Sequence, residues 1–250
     1  MTQPTAGDAQ PTATPSSAAA APSKHLVARI VGVLFAPRAT YAGVAARPRW
    51  FGVLAFVTLV SAAGLFIFLS TEVGQQATFD QQVRMLESFG MKLNDATLQR
   101  MEEGMSRARY TAVLGQVIVL PIMGAIVAGI ALGVFNALLG GDGTFRQVYA
   151  IVAHSGVVIA VSQLFALPVN YMRETMSSPA NLGVFVPFLD ETSFPARFLG
   201  VIDLFQVWWI VSLAIGFGVL YRKRTSPIAS TMLGIYVLIA LVIAAAKSAA

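Results

Sequence analysis

Few side chains in this chain could do chemistry, and those that could are set in apolar surroundings. Gln116, Asn136, His154, Gln163, Asp203 and Gln206 each interrupt a long run of apolar residues. In hydrocarbon such groups are costly to bury, so each marks a proton or cation path, a ligand site, or a hydrogen bond between helices. Depth sorts them. At about 1.5 Å of rise per residue, Gln116, Gln163, Asp203 and Gln206 all fall roughly 8–12 Å from the same end of their runs, so one polar layer is expected. His154 precedes Gln163 by about 13 Å of helix, which argues against a direct pair with Asp203. For Asp203 two roles stand side by side: proton or cation binding, or a carboxylate bonded to amides in the first turn of a helix, where the dipole favours it. For His154 the roles are an interhelical hydrogen bond beside Ser155 and Gly156, or an imidazole ligand or pH sensor.

Other chemistry is excluded by residue type. There is no cysteine, and His25 is the only histidine besides His154. A disulfide, a thiol nucleophile, a Cys-based zinc site and a His-based metal site therefore have no residues to build them. No His-Glu-x-x-His, Gly-x-Ser-x-Gly or phosphate-binding loop occurs. Gly140-Gly141-Asp142-Gly143 reads as a tight turn between two apolar runs. An intramembrane aspartyl protease would need a second aspartate facing Asp203. Neither an enzyme nor a cofactor is expected.

The elements that must position these residues are membrane spans. The chain has 250 residues, 56% hydrophobic and 12% charged, with a mean hydropathy of +0.70. Soluble domains carry about 25% charged residues. Five runs reach the roughly 20 apolar residues that a spanning helix needs: Trp50 to Ser70, Thr111 to Leu139, Val148 to Val169, Phe198 to Tyr221, and Ile228 to Ala246. The fold class is thus an all-α polytopic membrane protein with five transmembrane helices over 50–246. Pro121 predicts a kink or tilt in the second.

The connecting segments set the orientation. Lys24, Arg29, Arg38, Arg47, Arg49, Arg146, Arg222, Lys223 and Arg224 share one side with only Asp8 and Asp142. Their density beside the spans predicts a cytoplasmic N-terminus and an outer C-terminus in a cell inner (plasma) membrane. The formal charge of the whole chain, +5, then resolves into a cytoplasmic surface of +7, nine basic residues less two acids, that faces anionic lipid and not nucleic acid.

Residues 1–23 hold no Lys or Arg and are rich in Ala, Pro, Thr and Ser. They read as a disordered tail and not a secretory signal. Within the juxtamembrane segment 24–49, Leu26, Val27, Ile30, Val33 and Leu34 share one face of an interfacial helix. In the outer loop 71–110, Phe79, Val83, Leu86 and Phe89 recur at helical spacing. Leu98, Met101 and Met105 do so again after Asn94, an expected N-cap. A helical hairpin turning near Gly90 follows. Ala125, Gly129 and Gly133, joined by Gly124 and Ala128, have the small-residue spacing of close helix contacts, and Gly216 and Gly218 offer a notch. Contacts within the bundle are the first expectation for them, homodimerisation the second.

Three ordered patterns resemble the Yip family, polytopic proteins named for interaction with Ypt/Rab GTPases. They are Phe35-Ala36-Pro37-Arg38 with Thr40-Tyr41 and Pro48-Arg49-Trp50; Gly140-Gly141-Asp142-Gly143-Thr144-Phe145-Arg146-Gln147-Val148 with Ala150 and Ser155; and Asp203-Leu204-Phe205-Gln206-Val207-Trp208 running to Gly216. The resemblance, closest to prokaryotic members, implies a five-helix domain with a cytosolic N-terminus. In eukaryotic relatives it implies vesicle traffic, GTPase binding and membrane shaping. Their Asp-Leu-Tyr-Gly-Pro signature has no counterpart before Trp50. The expected function is a non-enzymatic protein that organises membrane or recruits protein partners, its own copies included. The alternative is a small transporter or ion conductor using the outer polar layer.

Overall fold

The computed structural model describes residues 25–88, 90–190 and 193–249. The expected tail over 1–23, and the readings placed on Lys24 and Phe89, lie outside the described residues. Among the described residues the fold is all-helical apart from turns and one isolated backbone bridge between Asn181 and Asp203. In order, the helices are α1 (Leu26–Phe35), α2 (Pro37–Ala46), α3 (Phe51–Leu69), α4 (Glu72–Ser88), α5 (Asp95–Leu132), α6 (Phe145–Ser155), α7 (Val157–Met172), α8 (Phe194–Val201), α9 (Leu204–Leu220) and α10 (Thr225–Ala249).

Among the described residues four helical stretches are long and apolar enough to cross a membrane: Phe51–Leu69, Asp95–Leu138, Phe145–Met172 and Thr225–Ser248. This is a polytopic membrane fold. The remaining apolar run is split. The stretch expected to be continuous from Phe198 to Tyr221 breaks at Ile202 and Asp203, both extended (ψ 107° and 132°), leaving α8 and the 17-residue α9. Hydropathy has no term for such a break, because its cause is a capping side chain.

The outer loop forms the expected hairpin. α4 ends at Ser88, Gly90 takes a left-handed φ of 77°, and Asn94 caps α5 by accepting from the Thr97 amide at 2.9 Å. α5 then runs without interruption from the loop into the membrane stretch, past Pro121, and ends in a π-helical segment, Gly133–Leu138.

The bundle is built around α6. α3 packs along α5 and α7, α6 lies against α5 and α9, and α10 packs on α9 and α8. Val148, Ala150, Ile151, Val157 and Leu213 have at most 1% of their surface exposed. α1 and α2 join this core: Val33, Tyr41 and Val44 are buried with it. The interfacial reading of α1 needs correction in its facing. Leu26 lies over Gly52 of α3, and Ile30, Val33 and Leu34 turn to the bundle, whereas Val27 turns away and forms an exposed second apolar row with Val31 and Phe35. A helix flanked on one side by protein and on the other by lipid has apolar residues on both faces, so no single face could be read from the pattern.

Candidate functional site: a polar cavity beside a broken helix

Asp203 is the N-cap of α9. Its Oδ1 accepts from the amides of Phe205 (2.8 Å) and Gln206 (3.0 Å), and its Oδ2 accepts from the Ser178 hydroxyl. This satisfies donors that a helix start leaves bare, and the anion sits at the positive end of the dipole. The other groups freed by the break are also taken up. Tyr236 on α10 donates its hydroxyl to the Val201 carbonyl (2.8 Å) and accepts from the Asp203 amide (3.0 Å). Leu182 N–H donates to Ile202 O at 2.8 Å and Leu204 N–H to Ala180 O at 3.1 Å. Non-helical backbone at membrane depth is tolerated only when it is paired in this way.

Beside this joint lies a cavity of about 730 Å³. Gln116 from α5, Gln163 from α7, and Asp203 and Gln206 from α9 all line it. Four residues from three separate runs therefore meet at one place. No hydrogen bond among the described residues joins the three glutamine side chains to one another, so the cavity is not filled by a closed amide network. Three further lining groups hold buried polar atoms without a partner: Ser61 Oγ, Asn170 Oδ1 and Trp209 Nε1. Ser61 is 1% exposed and Asn170 5%. A buried donor or acceptor left unpaired carries a desolvation penalty of about 1–3 kcal/mol. A polar occupant would relieve it.

These residues carried a weak sequence signal. Trp209 follows Asp203 and Gln206 at steps of three, and Asn170 follows Gln163 at a step of seven, so each shares a helix face with a residue already singled out. Ser61, Ser178 and Tyr236 had no such signal, because hydroxyls are common in spans.

His154 stands apart from the cavity. It is fully buried; its Nδ1 lies 2.6 Å from Ala150 O, and Nε2 lies 3.5 Å from Nη1 of Arg29 on α1. With Nδ1–H donating to the carbonyl, Nε2 is the acceptor for Arg29. Arg29 also donates to Arg49 O at 2.8 Å. The imidazole therefore ties α1 to α6 and the start of α3.

Asn136 is likewise structural, donating to Gly143 O at 2.7 Å. It closes the Gly140–Gly143 turn, where Gly140 has φ 66°. A Cβ on Gly141 would stand 2.6 Å from the Tyr221 ring and 2.8 Å from Phe135 O. Phe135 and Tyr221 stack at 4.6 Å over the turn. The glycines admit an aromatic pair.

The small-residue row behaves differently from its expectation as a contact inside the bundle. Ala125 packs on the core, but Gly129 and Gly133 are exposed with nothing within 4 Å of a Cβ on either. Two further members of the row do meet the bundle: Ala128 is buried, as is the neighbouring Ala131, and a Cβ on Gly124 would stand 3.4 Å from the Tyr149 ring. Spacing identifies a row but not the side from which a partner helix approaches. On α9 the notch is real: a Cβ on Gly216 would collide with Ile151 and come within 3.3 Å of the Tyr41 ring.

The fold and the cavity define a class, the polytopic α-helical membrane proteins with a polar pocket inside the bundle. Within it, the Yip1 domain matches residues 31–246, and the chain belongs to the Yip family. No curated protein and no solved structure matches it.

Proposed function

We propose that this Yip family membrane protein has no chemistry of its own and acts by organising the bilayer or recruiting protein partners, with its N-terminus in the cytoplasm. The observation that carries this reading is the α1–α2 hairpin. One side of it is anchored in the core by Val33, Tyr41 and Val44. The other presents Val27, Val31 and Phe35, which are 69%, 47% and 82% exposed at a spacing of four. Arg29, Arg38, Arg47 and Arg49 lie in or beside the hairpin. An apolar row with basic flanks, held rigidly, inserts as a wedge into one leaflet and favours anionic lipid. The test is reconstitution into anionic vesicles, with vesicle shape read by electron microscopy and co-purifying proteins by crosslinking. Exchanging Val27, Val31 and Phe35 for Ser should abolish the remodelling or the crosslinks. Wild-type protein that neither reshapes vesicles nor captures a partner would remove the proposal.

A second reading, passage of a solute or proton, is favoured by the cavity and its unpartnered Ser61 and Asn170 atoms. Both carboxylate oxygens of Asp203 are engaged in the joint, which ranks an ion-carrying role second. A flux assay on Gln163→Leu decides it: transport in the wild type that the variant loses supports passage, and no transport under any gradient removes it.

A further inference from the structure

A second opening lies on the lipid-facing side of the bundle, away from the polar cavity. α5 packs on α3 and α6, and α10 packs on α9 and α8, so the space between α5 and α10 stays open over α9. It forms a groove of about 540 Å³, within the roughly 300–1,000 Å³ range of ligand pockets. Leu213 and Phe217 of α9 make its floor, Ile130 of α5 and Ile235 of α10 its walls, Trp209 one end and Lys223 the other. Lys223 is the only charged residue in this lining.

The dimensions fit one leaflet. From Trp209 to the end of α9 at Leu220 the helix climbs about 16 Å, about half of a hydrocarbon core of about 30 Å. The groove therefore runs from the depth of an acyl-chain end to the level of a headgroup. At its mouth three basic residues outnumber one acid, Asp142, which lies close enough to Tyr221 to act on it. Arg222, Lys223 and Arg224 follow one another and all are exposed. Arg222 holds a left-handed φ of 53°, a conformation costly for a side-chain-bearing residue and tolerated where the surroundings demand it. That turn delivers Lys223 to the end of an apolar trough.

We infer that the α5–α9–α10 groove is a binding site for one anionic phospholipid, with an acyl chain between the exposed Ile130 and Val134 of α5 and Ile235 of α10 and the headgroup phosphate at Lys223. A zwitterionic lipid would fill the same trough but gain nothing net from the cation. Trp209 is shared with the polar cavity, but Lys223 and Ile130 line the groove and not the cavity or the α1–α2 hairpin, so failure at those two residues would leave both readings of function untouched.

The experiment is native mass spectrometry of the detergent-purified full chain after exposure to phosphatidylglycerol or to phosphatidylcholine, with helicity checked by circular dichroism. The wild type should hold one phosphatidylglycerol in preference to phosphatidylcholine. Lys223→Gln should weaken phosphatidylglycerol binding about fivefold, the factor equivalent to about 1 kcal/mol for one surface cation. Ile130→Trp, at a 64% exposed position where folding tolerates bulk, should block the trough and remove the bound lipid. Arg38→Gln, on the same basic side but away from the groove, should change nothing. Equal retention of the two lipids overturns the inference, as does an equal loss from Arg38→Gln, which would show diffuse charge attraction. A lipid-free dimer abolished by Ile130→Trp would also overturn it, placing a second copy in the groove.

Discussion

The Tyr41 hydroxyl on α2 lies 2.6 Å from the Ser212 hydroxyl in the middle of α9, and both side chains are buried. A short amphipathic helix before the first span is thereby seated inside the bundle. Gly216, one turn further along α9, leaves the space the Tyr41 ring occupies. The hairpin is held by a lock of three residues, and its exposed apolar row is consequently fixed in direction.

Removing parts of that lock should separate its contributions. Tyr41→Phe leaves the ring and strips the hydrogen bond, and should lower stability by about 1 kcal/mol. Tyr41→Ala also opens a void and should lower it by about 3–5 kcal/mol. Thermal unfolding in detergent measures both. Equal losses from the two would mean that the hydroxyl pair, and not the packing, holds the hairpin.

At the break between α8 and α9, asparagine caps a helix nearly as well as aspartate, so Asp203→Asn should be mild. Asp203→Ala should lose about 0.5–2 kcal/mol for the cap and leave Ser178 unpaired besides. The diagnostic measurement is proteolysis of the loop over 175–193, which should accelerate in the alanine variant and hardly change in the asparagine one. Equal cleavage of all three proteins would contradict the capping role.

Glycines of the same chain should respond oppositely to one methyl group. Gly141→Ala drives a Cβ against the Tyr221 ring and the Phe135 carbonyl and should destabilise by about 1–3 kcal/mol, as overpacking does. Gly129→Ala meets open space and should stabilise by up to about 1 kcal/mol through helix propensity. A large loss from Gly129→Ala would instead indicate a partner helix against that row, detectable as a change in oligomer mass.

His154 tests whether α1 depends on a single buried ring. His154→Leu nearly keeps the volume but removes both polar contacts, leaving Arg29 without its acceptor in the core. α1 should loosen, seen as faster amide exchange over 26–35 with α6 unaffected. Unchanged exchange there would show that Gly32 and Val33 hold α1 without the imidazole.

Much of this molecule was legible as sequence because the bilayer is a severe solvent. The lengths of the apolar runs, the Gly90 turn and the Asn94 cap follow from hydrocarbon thickness, φ > 0 and unsatisfied amides, all local constraints. Depth along each run was enough to bring Gln116, Gln163, Asp203 and Gln206 to one level. Rotation about each helix axis was not readable: in lipid both faces of a helix are apolar, so hydropathy does not say which side meets protein. Tertiary packing alone therefore turned those four residues onto a shared cavity, placed Ala128 and not Gly129 in the core, and drew Tyr41 onto Ser212. It also converted Asp203 from an isolated membrane charge into the cap of a broken helix, because the groups that satisfy it, Ser178 and the α9 amides, meet only when the loop folds back.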